Sequence, residues 1–141
     1  MAFAMALVAG PVAAEPFEAC VAAEMAAFET RLDDALNAQA APNFDLVDGR
    51  AVGDCAGIAL LVCEGAGCDA VASDVAELAQ RFVAAVPEPA AVRGLNPVWS
   101  DGLYPRLWVE AVPGEGTEGL VAYLAAAAGL WQVARAIGVV E

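Results

Sequence analysis

The sequence contains neither histidine nor lysine, and all six of its basic residues are arginines. Without lysine there is no Schiff-base amine and no P-loop cation, and without histidine no imidazole can activate a nucleophile or bind a metal ion. The two serines, Ser73 and Ser100, therefore lack a base to activate them. We expect no catalytic residue and no cofactor. A hydrolase that uses two carboxylates is the enzymatic alternative that the composition leaves open.

Metal-binding motifs are also missing from the sequence. The four cysteines are spaced 35, 8 and 5 residues apart and form no paired Cys-x-x-Cys motif. Asp45, Asp48 and Asp54 do not follow the alternating ligand positions of an EF-hand loop. We therefore expect no metal site, and a zinc site at the cysteines is the less favoured alternative.

Negative charge dominates the chain. Nineteen acidic residues against six arginines give a formal net charge of −13 at pH 7. Such a chain repels the phosphates of nucleic acids and the headgroups of anionic membranes, so we expect no nucleic-acid partner. Hydrophobic residues make up 60% of the 141 residues, which is enough apolar surface for one folded domain with a single core.

Residues 1–14 form an apolar stretch that ends immediately before the first charged residue of the chain. Val12 and Ala14 are small side chains at the positions that signal peptidase requires, and the stretch is too short to span a bilayer. The pattern predicts a cleaved signal peptide over 1–14 and a mature domain over 15–141 that is periplasmic or secreted. The basic segment of a signal peptide is missing, so either the true start lies upstream of Met1 or the segment is a buried N-terminal helix.

The cysteines occur in an even number in a chain that is predicted to leave the reducing cytosol, which indicates two disulfides. Three pairings are possible, and spacing alone does not choose among them. If residues 55–64 are helical, Cys55 and Cys63 lie about 12 Å apart along the helix axis, too far to pair. The pairing that we favour is Cys63 with Cys68 and Cys20 with Cys55.

The spacing of hydrophobic residues predicts a mainly α-helical protein, a compact bundle of about four helices. The clearest helix spans 16–39, where one stripe contains Phe17, Val21, Met25, Phe28, Leu32 and Leu36. The others follow a turn-rich loop over 42–53 and span 55–64, 69–86 and 118–139, with Asp54 and Asp69 as caps for the first two. Segment 55–64 is apolar on all sides, so periodicity does not separate a helix from a buried strand; we favour the helix.

A segment rich in proline, glycine and tryptophan, about 87–116, is predicted to be irregular. Within it, residues 103–112 alternate between apolar and polar side chains, which predicts one short strand, and Pro105 places that strand at an edge. The segment also contains residue types that are common in protein interfaces. We predict four candidate partner-binding residues: Trp99, Tyr104, Arg106 and Trp108. The alternative is that the aromatic rings cover the helical core.

The predicted C-terminal helix contains an almost continuous apolar run from Leu120 to Trp131. Its length suits a membrane span, but Gln132 and Arg135 follow, and an arginine inside a membrane costs at least about 2.5–3.5 kcal/mol. We therefore predict a buried central helix, with a membrane anchor over 119–139 as the alternative. Small residues offer a surface for close packing against another helix of the domain: Ala122, Ala125, Ala126, Ala127, Ala128 and Gly129.

These patterns favour a small, exported, acidic protein that binds or assembles with a protein partner and has no catalytic activity. A membrane-associated accessory subunit, anchored by 119–139, is the first alternative. A hydrolase with an acidic pair is the second, and it requires two carboxylates that face each other in a cleft.

Overall fold

Six α-helices form the fold of the residues that the computed structural model describes, which are 14–40 and 44–141. A 3₁₀ turn lies at Phe44–Leu46, and within the two ranges no residue belongs to a strand. The predicted helical bundle with two disulfides is confirmed. The predicted signal peptide lies outside the described residues, except that Ala14 is the first residue of a helix. The helices, in chain order, are α1 Ala14–Ala38, α2 Gly49–Val62, α3 Ala66–Ala84, α4 Pro89–Val92, α5 Tyr104–Glu110 and α6 Gly116–Ala136.

Helix α1 is amphipathic, as its sequence spacing predicts. Phe17, Val21, Phe28 and Leu32 are buried because residues three or four apart share one side of a helix, and α1 packs against α2 and α3. The ring of Phe28 meets Trp131 of α6 edge-on, with 6.2 Å between the ring centroids. Full burial of such a ring stabilises the fold by about 1.5–3 kcal/mol.

Helix α2 settles the helix-or-strand question for residues 55–64, but it begins at Gly49, inside the predicted loop. The prediction that Asp54 caps this helix is wrong. Asp48 is the N-cap, and its carboxylate accepts a hydrogen bond from the Ala51 N–H at 3.1 Å. Gly53 is not a turn residue: a β-carbon there would lie 2.8 Å from the β-carbon of Ala125, so this glycine allows α2 to approach α6.

Both predicted disulfides are confirmed. Cys20–Cys55 joins α1 to α2, and Cys63–Cys68 joins the end of α2 to the first turn of α3. None of the four cysteines is free. The N-cap of α3 is Gly65, with φ +54°, and Asp69 lies in the first turn of the helix, so the prediction that Asp69 is the cap is wrong. The short bridge closes around this glycine, which adopts the left-handed backbone conformation at little steric cost.

Helix α6 is the central helix, as predicted. Its fully buried residues include Leu124, Leu130 and Val133, and it packs against α2, α3 and α5. Gln132 is also fully buried, and its Oε1 accepts a hydrogen bond from the Asp48 N–H at 2.7 Å. Across the described residues, none of the helices combines the length and the hydropathy needed to cross a membrane.

The predicted edge strand over 103–112 is wrong. A π-helical turn, Trp99–Leu103, leads directly into α5, and the preceding part of the segment contains α4. Pro105 lies in the first turn of α5, directly after the π-helical turn, and its ring has no N–H to donate to a carbonyl of that turn. The inward side chains of α5 follow the helical spacing i, i+3, i+4 and i+7, which the apparent alternation of the sequence conceals: Tyr104, Leu107, Trp108 and Ala111.

Candidate functional site

Two of the four candidate partner-binding residues lie in the core. Trp99 is 2% exposed and Tyr104 is fully buried. The Tyr104 hydroxyl donates a hydrogen bond to the carbonyl oxygen of Pro87, which ties α5 to the turn before α4. Burial raises the pKa of Tyr104 to about 12 because the charged phenolate is poorly solvated inside the protein. Both rings therefore pack in the core.

The other two candidate residues lie on different sides of α5. Trp108 is half-buried and packs against the core, whereas Arg106 is exposed. The structure therefore does not bring the four predicted residues together on one exposed face. A role for them in partner binding stays a prediction. Trp99 lines one cleft together with Arg31 and Ile137, and Arg106 lines a second cleft.

That cleft lies between α2, α5 and α6 and has a volume of about 840 Å³; we call it the arginine cleft. Small side chains of α6, Leu103 of the π-helical turn and Leu107 of α5 give it apolar lining, and Arg50 of α2 and Arg106 of α5 also line it. It is lined by Val47, Gly49, Arg50, Val98, Gly102, Leu103, Arg106, Leu107, Glu110, Ala122, Ala125, Ala126 and Gly129. Helices α2 and α6 pack closely beside the cleft, and this contact sets the position of Arg50 relative to the small residues of α6.

The charges around the arginine cleft differ from those of the whole chain. Arg50, Arg106 and Glu110 are its charged lining residues, so two cations face one anion in a protein of net charge −13. Elsewhere, Arg135 forms an ion pair with Glu29 at 3.0 Å, and Arg31 donates a hydrogen bond to the Leu46 carbonyl. Among residues 14–40 and 44–141, neither Arg50 nor Arg106 has a carboxylate within ion-pair distance.

A second surface is apolar and lies at the C-terminal end of α2. Ile58, Leu61 and Val62 are 60%, 82% and 66% exposed, and their spacing places them on one side of the helix; we call them the α2 patch. Ile58 and Val62 also line a cavity of about 320 Å³ together with Phe17. Cys63 follows the patch directly and carries the short disulfide.

Sequence reasoning missed both the α2 patch and Arg50. Segment 55–64 was expected to be buried because it is apolar on all sides, yet only one side of α2 meets α1 and α6. A general physical rule was available as a signal. A helix in a small bundle has neighbours on only some of its sides, so a helix that is apolar on all sides leaves some apolar side chains exposed. Arg50 lies in the first turn of α2, which was expected to be a loop.

The described residues contain no group of three or more cysteine, histidine or acidic side chains arranged to hold a metal ion. The carboxylate that lines the arginine cleft is Glu110, with no second acidic residue among the lining residues. Three acidic side chains, Glu18, Asp74 and Glu77, line a smaller cleft of about 230 Å³ between α1 and α3. Comparison with protein-family models, with curated proteins and with solved structures finds no match for this chain.

Proposed function

We propose that this protein is an exported, non-catalytic binding protein that holds a protein partner on the α2 patch. The observation that carries the proposal is the exposure of three large aliphatic side chains on one side of α2. Clustered apolar side chains on a soluble domain are characteristic of interaction surfaces, whereas single exposed residues are ordinary. Phe17 forms part of an adjoining cavity that can accept an apolar side chain of the partner.

The α2 patch is held in a fixed conformation by both disulfides. Cys55 attaches the middle of α2 to α1, and Cys63 attaches its end to α3. A surface that is already rigid loses little conformational entropy when a partner binds, which favours affinity. Disulfides persist in oxidising compartments, and this supports, together with the apolar residues 1–14, a periplasmic or secreted location.

Two exposed acidic residues lie on either side of the α2 patch along the chain, and their charge indicates the charge of the partner. Asp54 lies one turn before Ile58 on α2, and Glu64 follows the patch; both are exposed. With a net charge of −13 on the whole chain, an acidic partner or a second copy is repelled over long distances. The partner that fits is a neutral or basic protein that inserts apolar side chains at the patch.

The test begins with the exported chain isolated under native conditions from the host's extracytoplasmic fraction. A protein that co-purifies in a fixed stoichiometric ratio is identified, purified, and recombined with wild type, Leu61→Asp and Leu95→Asp. Leu95 is also exposed, at 58%, but it is separate from the patch, so its variant is the matched control. We expect Leu61→Asp to weaken binding at least tenfold, about 1.4 kcal/mol, and Leu95→Asp to leave it unchanged.

Two results would contradict the proposal. The first is equal loss of binding by both variants, since the partner would then not use the patch. The second is sedimentation of the native chain as a homodimer that Leu61→Asp dissociates, which would make a second copy the occupant. Unchanged thermal unfolding of both variants is the control for correct folding.

A further inference from the structure

We infer that the arginine cleft is a binding site for a small ligand that carries one carboxylate on an apolar chain. The site lies at the N-terminal end of α2, about 12 Å along the helix axis from Ile58, and it does not depend on the proposed partner. Its volume of about 840 Å³ lies within the range of small-molecule sites. Such sites combine mostly apolar walls with a few polar groups that orient the ligand.

The charge of the arginine cleft indicates the sign of the ligand. Arginines are rare in this chain, six against nineteen acidic residues, yet two of them line the same cleft. Within the described ranges neither has an acidic partner at ion-pair distance. Guanidinium groups form paired hydrogen bonds with carboxylates, so these two residues suit an anionic group. With Glu110 also present, the lining carries a single net positive charge, which matches a monoanion.

The walls indicate that the ligand also has an apolar part. Leu103 and Leu107 line the cleft together with alanines of α6, and the Leu107 side chain packs beside Gly129. An inorganic anion would leave these side chains in water, whereas an alkyl chain would cover them and gain about 0.8 kcal/mol for each buried methylene group. Gly49 and Gly129, which also line the cleft, allow the backbones of α2 and α6 to lie close together there.

The experiment measures binding of sodium decanoate to the full chain by isothermal titration calorimetry, with decanol as the uncharged probe and acetate as the short one. We expect decanoate to bind one site, and decanol and acetate to bind at least tenfold more weakly. Arg50→Gln and Arg106→Gln should each weaken decanoate binding about tenfold, the effect of one charge-assisted contact. Glu110→Gln should strengthen it several-fold because it removes the negative charge from the lining.

The matched control is Arg93→Gln, which removes the same charge from an exposed arginine that is not among the lining residues of the cleft. It should leave decanoate binding within twofold of wild type. The inference is overturned if decanoate does not bind, if Arg93→Gln weakens binding as much as the cleft variants, or if decanol binds as well as decanoate. Circular dichroism and thermal unfolding of each variant show that the fold is retained. A cleft variant that does not fold is replaced by Arg→Lys at the same position, which should weaken binding through loss of the paired hydrogen bonds.

Discussion

Gly49 of α2 lies directly against Gly129 of α6. A β-carbon on Gly49 would be 2.6 Å from the Gly129 backbone nitrogen, and it would be closer still to the carbonyl oxygen of Ala125. These atoms belong to helix backbone and cannot rotate away as a side chain can. The two most extensively packed helices of the bundle therefore meet backbone to backbone, which only glycine at position 49 permits.

The first prediction concerns this contact. Gly49→Ala should lower the free energy of unfolding by about 1–3 kcal/mol or more, because the methyl group forces α2 away from α6. Gly57→Ala, on the same helix, is the matched control: its β-carbon would meet the Val121 side chain at 3.7 Å, an ordinary contact. That control should be neutral or stabilising by about 0.5–1 kcal/mol, since alanine is the better helix former. Urea unfolding checks both, and equal effects would contradict the prediction.

The second prediction concerns Gln132. Its Oε1 accepts the hydrogen bond of Asp48 N–H, and its Nε2 lies 3.8 Å from Met25 Sδ, so one buried side chain links α6 to α1 and to the cap of α2. Gln132→Leu should destabilise the fold by about 1–3 kcal/mol because the Asp48 donor loses its acceptor. Gln80→Leu on the exposed side of α3 should stay within about 0.5 kcal/mol of wild type. A neutral Gln132→Leu variant in urea unfolding would show that water replaces the bond.

The third prediction compares the two disulfides. The residues of Cys20–Cys55 are 35 positions apart, and those of Cys63–Cys68 are five apart. In the chain-entropy model their removal costs about 4 and about 2 kcal/mol, respectively. The paired variants Cys20→Ala/Cys55→Ala and Cys63→Ala/Cys68→Ala should rank in that order by thermal unfolding. The reverse order would indicate that native-state contacts around the short loop outweigh loop entropy.

The fourth prediction concerns the pH dependence of stability. The pKa of Tyr104 is about 12 in the folded protein and about 10 when the residue is solvated. Between these values the unfolded chain loses the phenolic proton and the folded chain keeps it, so unfolding becomes more favourable as pH rises. The contribution is intact below pH 10 and falls progressively up to about pH 12. Tyr104→Phe should cost about 0.5–1.5 kcal/mol at pH 7 through the lost hydrogen bond to Pro87, and should flatten the alkaline decline.

Chemical denaturation of wild type and Tyr104→Phe at pH 7, 9, 10 and 11, followed by far-ultraviolet circular dichroism, separates the two effects. The difference between the curves should shrink as pH rises. Parallel curves would mean that other groups cause the alkaline loss of stability.

Several parts of this fold follow from the sequence for simple physical reasons. The stripe of α1 is long enough for its helical period to be clear, and Phe17, Val21, Phe28 and Leu32 are buried as expected. Met25 is partly buried, and Leu36, the last residue of the predicted stripe, is 61% exposed. Helix geometry excludes a Cys55–Cys63 bridge, and of the two remaining pairings the structure contains the one with the short Cys63–Cys68 link across a glycine-containing turn. The central position of α6 follows from its sequence, because apolar residues occupy nearly all sides of this helix.

The errors arise where tertiary contacts outweigh local signals. Gly53 lies in a segment whose composition is typical of a turn. In the structure it lies inside α2, where the absence of a side chain allows α6 to approach closely. Residues 103–112 fit both a two-residue and a helical period, and burial of Tyr104 and Ala111 on the same side selects the helix. Two aromatic residues of the predicted site, Trp99 and Tyr104, are buried in the core, and the site itself stays a prediction. The surfaces that are open to ligands depend on which side of a helix its neighbours leave uncovered, and one sequence does not encode that directly.

The order of elements along the chain has a consequence for how the covalent links form. All four cysteines precede residue 69, whereas α6, the helix that the others pack around, begins at Gly116. A chain that is threaded into an oxidising compartment from its N-terminus presents every thiol before this helix arrives. Cys63 and Cys68 are the nearest neighbours and close the smallest ring, which costs the least chain entropy. Once they have joined, Cys20 and Cys55 are the remaining pair, so the positions of the cysteines and of α6 along the chain are compatible with bridges that form before the core is complete.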